Sequence, residues 1–191
     1  MWTRNSDILD GSVKSWHRGL MPESGVNATA AALLGLLHDG PMTGGQLMAE
    51  ADRRLGAYWS MTRSQVYREL PALADAGFVK MGKPGARSSQ PYSITPAGKR
   101  AFVRWLGEPP AREVLRSPLA LRVAFGAHQS AAQLQQAYTQ ATEYHTGALN
   151  DAREQAKESK KTGDEFGAAS LELAAAYHRA ALAWLRNAPA K

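Results

Sequence analysis

Two helix starts of one design stand nineteen residues apart in the N-terminal half, Thr43 with Gln46 and Thr62 with Gln65. In each, the threonine hydroxyl suits a free amide of the first helical turn, and the glutamine three residues on suits the amide of the capping residue itself. The two boxes cut this half into short helices. The alanine- and leucine-rich run "ATAAALLGLLHDGP" precedes the first and predicts a buried helix closed by Gly40-Pro41. A second helix from Thr43 carries Leu47, Met48, Ala51 and Leu55 on one stripe and ends near Gly56.

The third helix, "TRSQVYRELPALADAG", is the most informative. At 100° per residue Val66, Leu70 and Leu73 point one way while Ser64, Gln65 and Arg68 point the other, with Tyr67 at the boundary. Pro71 lacks an N–H and crowds the preceding turn, so a kink or an interrupted hydrogen bond is expected between Tyr67 and Pro71. Strand-like pieces follow at Phe78–Met81 and Tyr92–Ile94, joined through a Pro84-Gly85 turn, and the tip of this hairpin holds Lys83, Arg87, Ser88 and Ser89. Thr95-Pro96 caps the next helix, whose apolar residues Ala101, Phe102 and Trp105 run to Gly107.

Charge singles out the same region. The chain has a net charge of +6, and residues 28–107 hold ten basic against five acidic groups, whereas the flanks are near balance. Ala76–Gly107 contains Lys80, Lys83, Arg87, Lys99, Arg100 and Arg104 and no acidic residue. A one-signed segment of this kind attracts polyanions.

The remainder reads as helix. Residues 1–27 form an extension in which Leu9, Val13, Trp16 and Leu20 suit a partly helical arm interrupted by Gly11. Glu108–Arg116 is a linker, and Ser117-Pro118 opens a helix whose Leu119, Leu121, Val123 and Phe125 are too crowded for one stripe and are expected to be buried. A long proline-free helix then repeats Leu134, Tyr138, Ala141, His145, Ala148 and Ala152 at heptad spacing. A polar turn, "KESKKTGDE", precedes a last helix over about 165–186 with Phe166, Ala169, Leu173, Tyr177, Ala180 and Trp184 on one side. His145 places a polar group in the heptad seam, where it sets register and makes the interface pH-sensitive, or simply finds a hydrogen bond or an edge of solvent. Trp16, Trp59, Trp105, Tyr138, Tyr177 and Trp184 suit either core and interface packing or a pocket for a flat ligand.

Several classes are disfavoured. There is no cysteine, no H-E-x-x-H and no G-x-S-x-G; "GPMTGG" lacks the P-loop lysine, and the five histidines are scattered. No catalytic residue, metal or cofactor is expected, and the chain is read as a non-enzyme. With no apolar run near 18 residues and no secretory leader, a cytoplasmic protein without membrane contact is expected.

Three helices, a basic hairpin and a fourth helix are the parts of a winged helix-turn-helix, whose third helix enters the major groove while the wing touches the backbone. The expected fold is therefore mainly α with a small β-hairpin wing: an N-terminal extension over 1–27, a winged helix-turn-helix DNA-binding domain over 28–107 and a helical dimerisation domain over 108–191. Ser64, Gln65 and Arg68 are candidates for base contact, Arg suiting guanine and Gln adenine. Thr62 and Tyr67 either touch phosphate or cap and pack, and Lys83, Arg87 and Ser88 of the wing are candidates for phosphate contact, which positions without specifying sequence.

"ALLGLLHDGPMTGGQL", "YWSMTRSQVYREL", "ADAGFV" and "YSITPAGKRAF", from about Ala31 to Trp105, resemble in order and spacing the DNA-binding domain of the PadR family of transcriptional regulators. "SPLALRVAFG" and the helices to about Leu185 are similar, more loosely, to the C-terminal region by which longer PadR members dimerise. The resemblance implies a homodimeric repressor on a pseudo-palindromic operator in double-stranded DNA, often at its own promoter and near transport or detoxification genes, released by a small, frequently aromatic effector. One departure stands out: where the family usually opens its second helix with Gly-Tyr, this chain has Gly44-Gly45. The rival reading is a winged-helix protein-interaction module without operator binding; a ligand-sequestering helical dimer is a third.

Overall fold

The computed structural model describes residues 24–83, 90–112 and 115–189. The expected turn at Pro84-Gly85 and the extension over 1–23 lie outside them. The described chain divides into two compact units, one of residues up to Leu47 with Arg63–Pro110, the other of Met48–Thr62 with residues from Ala111 on.

In the first unit, α1 (Ala28–Leu36) is apolar nearly all round, and Ala30, Ala31, Leu33, Leu34 and Leu36 are buried. A helix of that pattern belongs in a core. Asn27 caps it, its side-chain oxygen accepting from the Ala30 amide at 2.9 Å. The short strand β1 (Met42–Thr43) leads into α2 (Gly44–Leu55), and the expected capping box is present: the Gln46 amide donates to Thr43 Oγ1 at 3.3 Å and the Thr43 amide to Gln46 Oε1 at 2.9 Å.

Helix α3 (Arg63–Asp75) buries Val66, Leu70 and Leu73 against that core. It continues through Pro71, whose ring is exposed, so the proline costs the hydrogen bond to the Tyr67 carbonyl without ending the helix. Gly77, at φ 72°, closes it: the Phe78 amide reaches the Leu73 carbonyl at 2.8 Å and the Gly77 amide reaches Ala74 at 2.9 Å. This pair of bonds is the Schellman arrangement, which wants glycine at the left-handed position.

Strands β2 (Val79–Met81) and β3 (Pro91–Ile94) pair antiparallel with Lys80 opposite Ser93, as the hairpin predicts. The sheet has a third member not expected from the sequence, since β1 pairs with β3, Met42 opposite Tyr92. Thr95 then caps α4 (Pro96–Gly107), accepting from the Gly98 amide at 3.0 Å and donating to the Gly77 carbonyl at 2.8 Å. Gly98 lies so close to the Phe78 carbonyl oxygen that a Cβ there overlaps it, and the Ile94 side chain is 3.0 Å away.

In the second unit, α5 (Pro118–Ala124) is capped by Ser117 as expected, but its apolar residues are not buried: Leu121 and Phe125 are exposed and Leu119 and Val123 only partly covered. A seven-residue helix that meets α6 over only a short stretch buries none of its own residues. Helix α6 (Ala131–Lys161), with a capping box at Ser130 and Gln133, and α7 (Glu165–Leu185) form an antiparallel hairpin through a turn at Gly163. The α6 seam is close to the expected one, burying Leu134, Tyr138, His145, Leu149 and Ala152. On α7 the buried side is Ala168, Leu171, Ala174, Ala175 and His178, and the larger stripe of Phe166, Leu173, Tyr177 and Trp184 faces outward. Small residues let the two helices approach closely, which leaves the bulky stripe outside. Ala57 and Leu182 flank the cluster of Leu149, Ala152, Ala174 and Ala175.

Replacing Gly98 by alanine is expected to lower stability by roughly 1–3 kcal/mol, the cost of overpacking a closed site. Chemical denaturation of the two proteins checks it, and equal midpoints would contradict the tight junction.

Candidate nucleic-acid interface

The interface is built on α3. Its buried residues recur so that the opposite side stays in water: Thr62, Ser64, Tyr67 and Arg68 are exposed and Gln65 partly so. Thr62 directly precedes the helix, at the capping position, and five of the eight expected contact residues thus lie along one short helical segment. Lys83 is exposed just beyond β2, and Arg87 and Ser88 lie outside the described residues.

Two contacts organise this face. The Tyr67 ring packs over Gly44, where a Cβ would meet its Cζ at 3.2 Å. A glycine there lets the aromatic ring lie against the start of α2 while 54% of the tyrosine stays exposed. Next to it Glu69 is buried, an unusual place for a carboxylate unless partnered. Asn27 donates to its Oε2 at 3.1 Å, and Arg68 donates to its Oε1 at 3.3 Å. The Arg68 side chain remains 70% exposed, so the pair is a surface ion pair of about 0–1 kcal/mol, weak enough for the guanidinium to exchange partners.

Arg63 is an addition to the expected set. It is exposed in the first turn of α3, where no acidic residue offsets it. A cation at a helix N-terminus opposes the macrodipole, which makes it a costly choice unless an anion comes to meet it. The signal was in the sequence, a basic residue directly after a capping threonine. Beyond α3, the described cations of the acid-free block, Lys80, Lys83, Lys99, Arg100 and Arg104, are all exposed. Gly45 is exposed too, with no atom within 4 Å of where its Cβ would stand. The position that usually bears a tyrosine in the resembling family is open space.

An apolar-backed helix with a polar and basic outer side, followed by a sheet bearing exposed lysines, suits a groove lined with phosphates. Residues 33–104, which contain these elements, match the transcriptional regulator PadR-like family. Those residues are a PadR-like domain. The chain is 32% identical over 98 residues to the negative transcriptional regulator PadR of Bacillus subtilis (strain 168), a match covering 49% of this chain and 54% of that protein. It therefore spans about half the length of that relative. The fold resembles the crystal structure of Bacillus subtilis PadR in complex with operator DNA, with a TM-score of 0.69 at 24% identity over 84% of this chain and 96% of that one. It also resembles that protein in complex with p-coumaric acid, with a TM-score of 0.63 at 24% identity over 83% and 91%. The PadR-like domain is thus a winged helix-turn-helix, and helices follow it as in these structures.

Among the described residues no helix is long and apolar enough to cross a membrane.

Asn27 serves the first unit twice, capping α1 and holding Glu69. Asn27→Asp keeps the cap but sets one carboxylate against another, so it is expected to cost more stability than Asn27→Ser. Urea unfolding of both variants at neutral pH distinguishes them, and equal midpoints would contradict the Asn27–Glu69 bond.

Proposed function

We propose that this protein is a sequence-specific DNA-binding transcription repressor that works as a homodimer in the cytoplasm, without enzymatic activity. The observation that carries the reading is the outer side of α3, with Ser64, Gln65 and Arg68 presented beside Tyr67 on a buried base of Val66, Leu70 and Leu73. In this reading α3 enters the major groove, Gln65 and Arg68 read bases, and Thr62, Arg63 and the wing residues Lys83, Arg87 and Ser88 hold phosphates. Domains follow the chain as 1–27, 28–107 and 108–191, the last of these joining the two copies. Two α3 helices of a symmetric dimer require a pseudo-palindrome with half-sites one helical turn, roughly 34–36 Å, apart.

The outer stripe of α7 supports the dimer. Phe166, Leu173, Tyr177 and Trp184 recur at steps of seven, four and seven, with Phe166 90% and Leu173 66% exposed. A long helix with an uncovered stripe at coiled-coil spacing suits a second helix of the same kind. An effector fits the same scheme: a ligand that binds one spacing of the two heads better than another shifts occupancy by that difference. A small aromatic acid is the first class to try, because the relative was crystallised with p-coumaric acid.

Salt-titrated binding to the DNA upstream of the gene and to a scrambled duplex tests the reading. Arg68→Ala is expected to cost about 1–3 kcal/mol on the upstream DNA and to erase the preference over the scrambled duplex. Lys83→Ala is expected to weaken both duplexes alike and to reduce the salt slope by about 1. A preference that survives in Arg68→Ala would remove α3 from sequence readout, and no binding to either duplex would favour the protein-interaction module.

Leu173→Glu puts a charge in the stripe and is expected to yield a folded monomer by sedimentation velocity, with DNA binding weakened as the two heads separate. A dimer that persists would place the interface elsewhere.

A further inference from the structure

The seam between α6 and α7 is alanine, leucine and Tyr138 apart from one layer. There His145 and His178 are 9% and 5% exposed, the buried histidines of the described part of the two helices. Their Nδ1 atoms stand 2.8 Å apart. Such a bond forms only when one imidazole carries its proton on Nδ1 and the other offers a lone pair there. The donor ring then has its free lone pair on Nε2, and the acceptor ring has its N–H on Nε2.

The surroundings leave the pair to itself. Tyr144 of α6 meets the two imidazoles edge-on at 5.1 and 6.0 Å, and Tyr177 of α7 meets them at 6.0 and 5.2 Å. These phenols are titratable groups that face it, and no third histidine, aspartate or glutamate of the described residues joins it in a metal-sized cluster. From the 56–62 segment the packing residue is Ala57, on the adjoining apolar cluster. Burial pushes both imidazoles below the ordinary histidine value, and the charge of His145 pushes His178 further the same way.

We propose that the His145–His178 pair is an acid-sensitive latch on the α6–α7 hairpin: neutral, it ties the helices at one register, and doubly protonated it parts them at this layer. A first proton from solvent enters Nε2 of the donor ring, and the Nδ1 bond persists with a charge in the seam. A second enters Nδ1 of the acceptor ring and removes the only lone pair the bond had. Two N–H groups on two cations then face each other at hydrogen-bond distance, and separation follows. Because Tyr177 leans on both rings and belongs to the outer stripe of α7, the change reaches that surface. The latch does not depend on what the first unit binds.

The sign follows from the lowered values. Below the unfolded histidine value of about 6.5 the unfolded chain takes up these protons before the folded chain does, so stability is lost as pH falls from there through the lowered folded values. The test is urea unfolding of the full chain between pH 7.5 and 5.0, for wild type, His145→Gln and His178→Gln, with imidazole ¹⁵N NMR of the wild type. Glutamine keeps an amide for the remaining imidazole and does not titrate in this range, and the other histidines are common to all three proteins.

The wild-type midpoint is expected to fall with acid, and the fall is expected to be smaller in each variant. By NMR, His145 and His178 should show opposite tautomers at pH 7.5 and titrate as a coupled pair below the ordinary value. An equal acid-induced fall in all three proteins, or two independent titrations at the ordinary histidine value, would overturn the latch. The NMR arm decides if a variant fails to fold.

Discussion

One threonine holds the first unit in shape. Thr95 accepts from the Gly98 amide to start α4 and donates to the Gly77 carbonyl, where α3 ends; its own amide bonds the Phe78 carbonyl at 3.0 Å as the hairpin begins. Thr95 is buried, so each of these bonds is shielded from competing water. The missing Cβ of Gly98 lets α4 come close enough to the Phe78 backbone for the hydroxyl to span the gap. The acid-free segment begins and ends on the elements this junction joins, and the placement of its cations relative to α3 is a consequence of it.

The outer face of α3 shows how a surface can be ordered and still available. Glu69 spends its burial on Asn27, a strong structural tie, and offers its other oxygen to Arg68 through a contact that water weakens. The arginine is therefore preset in direction but not held. Tyr67 is similarly placed by packing on Gly44 while its edge stays in solvent. Both residues are placed by the protein on one side while the other side stays in solvent.

Local chemistry was legible where a residue and its partner are near in sequence. The box at Thr43–Gln46, the caps at Thr95 and Ser117, and the hairpin of β2 with β3 all follow from short-range rules. What lay beyond reach depended on distant partners. Strand β1 has two residues and exists because Tyr92 and Pro91 come to lie beside it. Periodicity drew a correct stripe on α7 yet could not say that alanines, being small, would take the inner side. The crowding of apolar residues in α5 suggested burial, but a seven-residue helix that meets α6 over only a short stretch stays largely in water. His145 was noticed as a polar group in a seam; its partner is 33 positions away, and no spacing rule connects them. For the interface, the exposure of Thr62, Ser64, Tyr67 and Arg68 followed from helical geometry, whereas the burial of Glu69 is a property of the Asn27 cap.

The alanine-lined seam has a thermodynamic corollary. Ala137, Ala152, Ala156, Ala168, Ala174 and Ala175 lose almost no side-chain entropy on burial, but each removes little apolar surface from water, so the hairpin gains modestly from its own closure. The bulky Phe166, Leu173, Tyr177 and Trp184 lie on its outer side. If a second copy covers that side, as the stripe suits, folding of the helical unit becomes a second-order equilibrium: mass action then ties its melting temperature to how much of the protein is present.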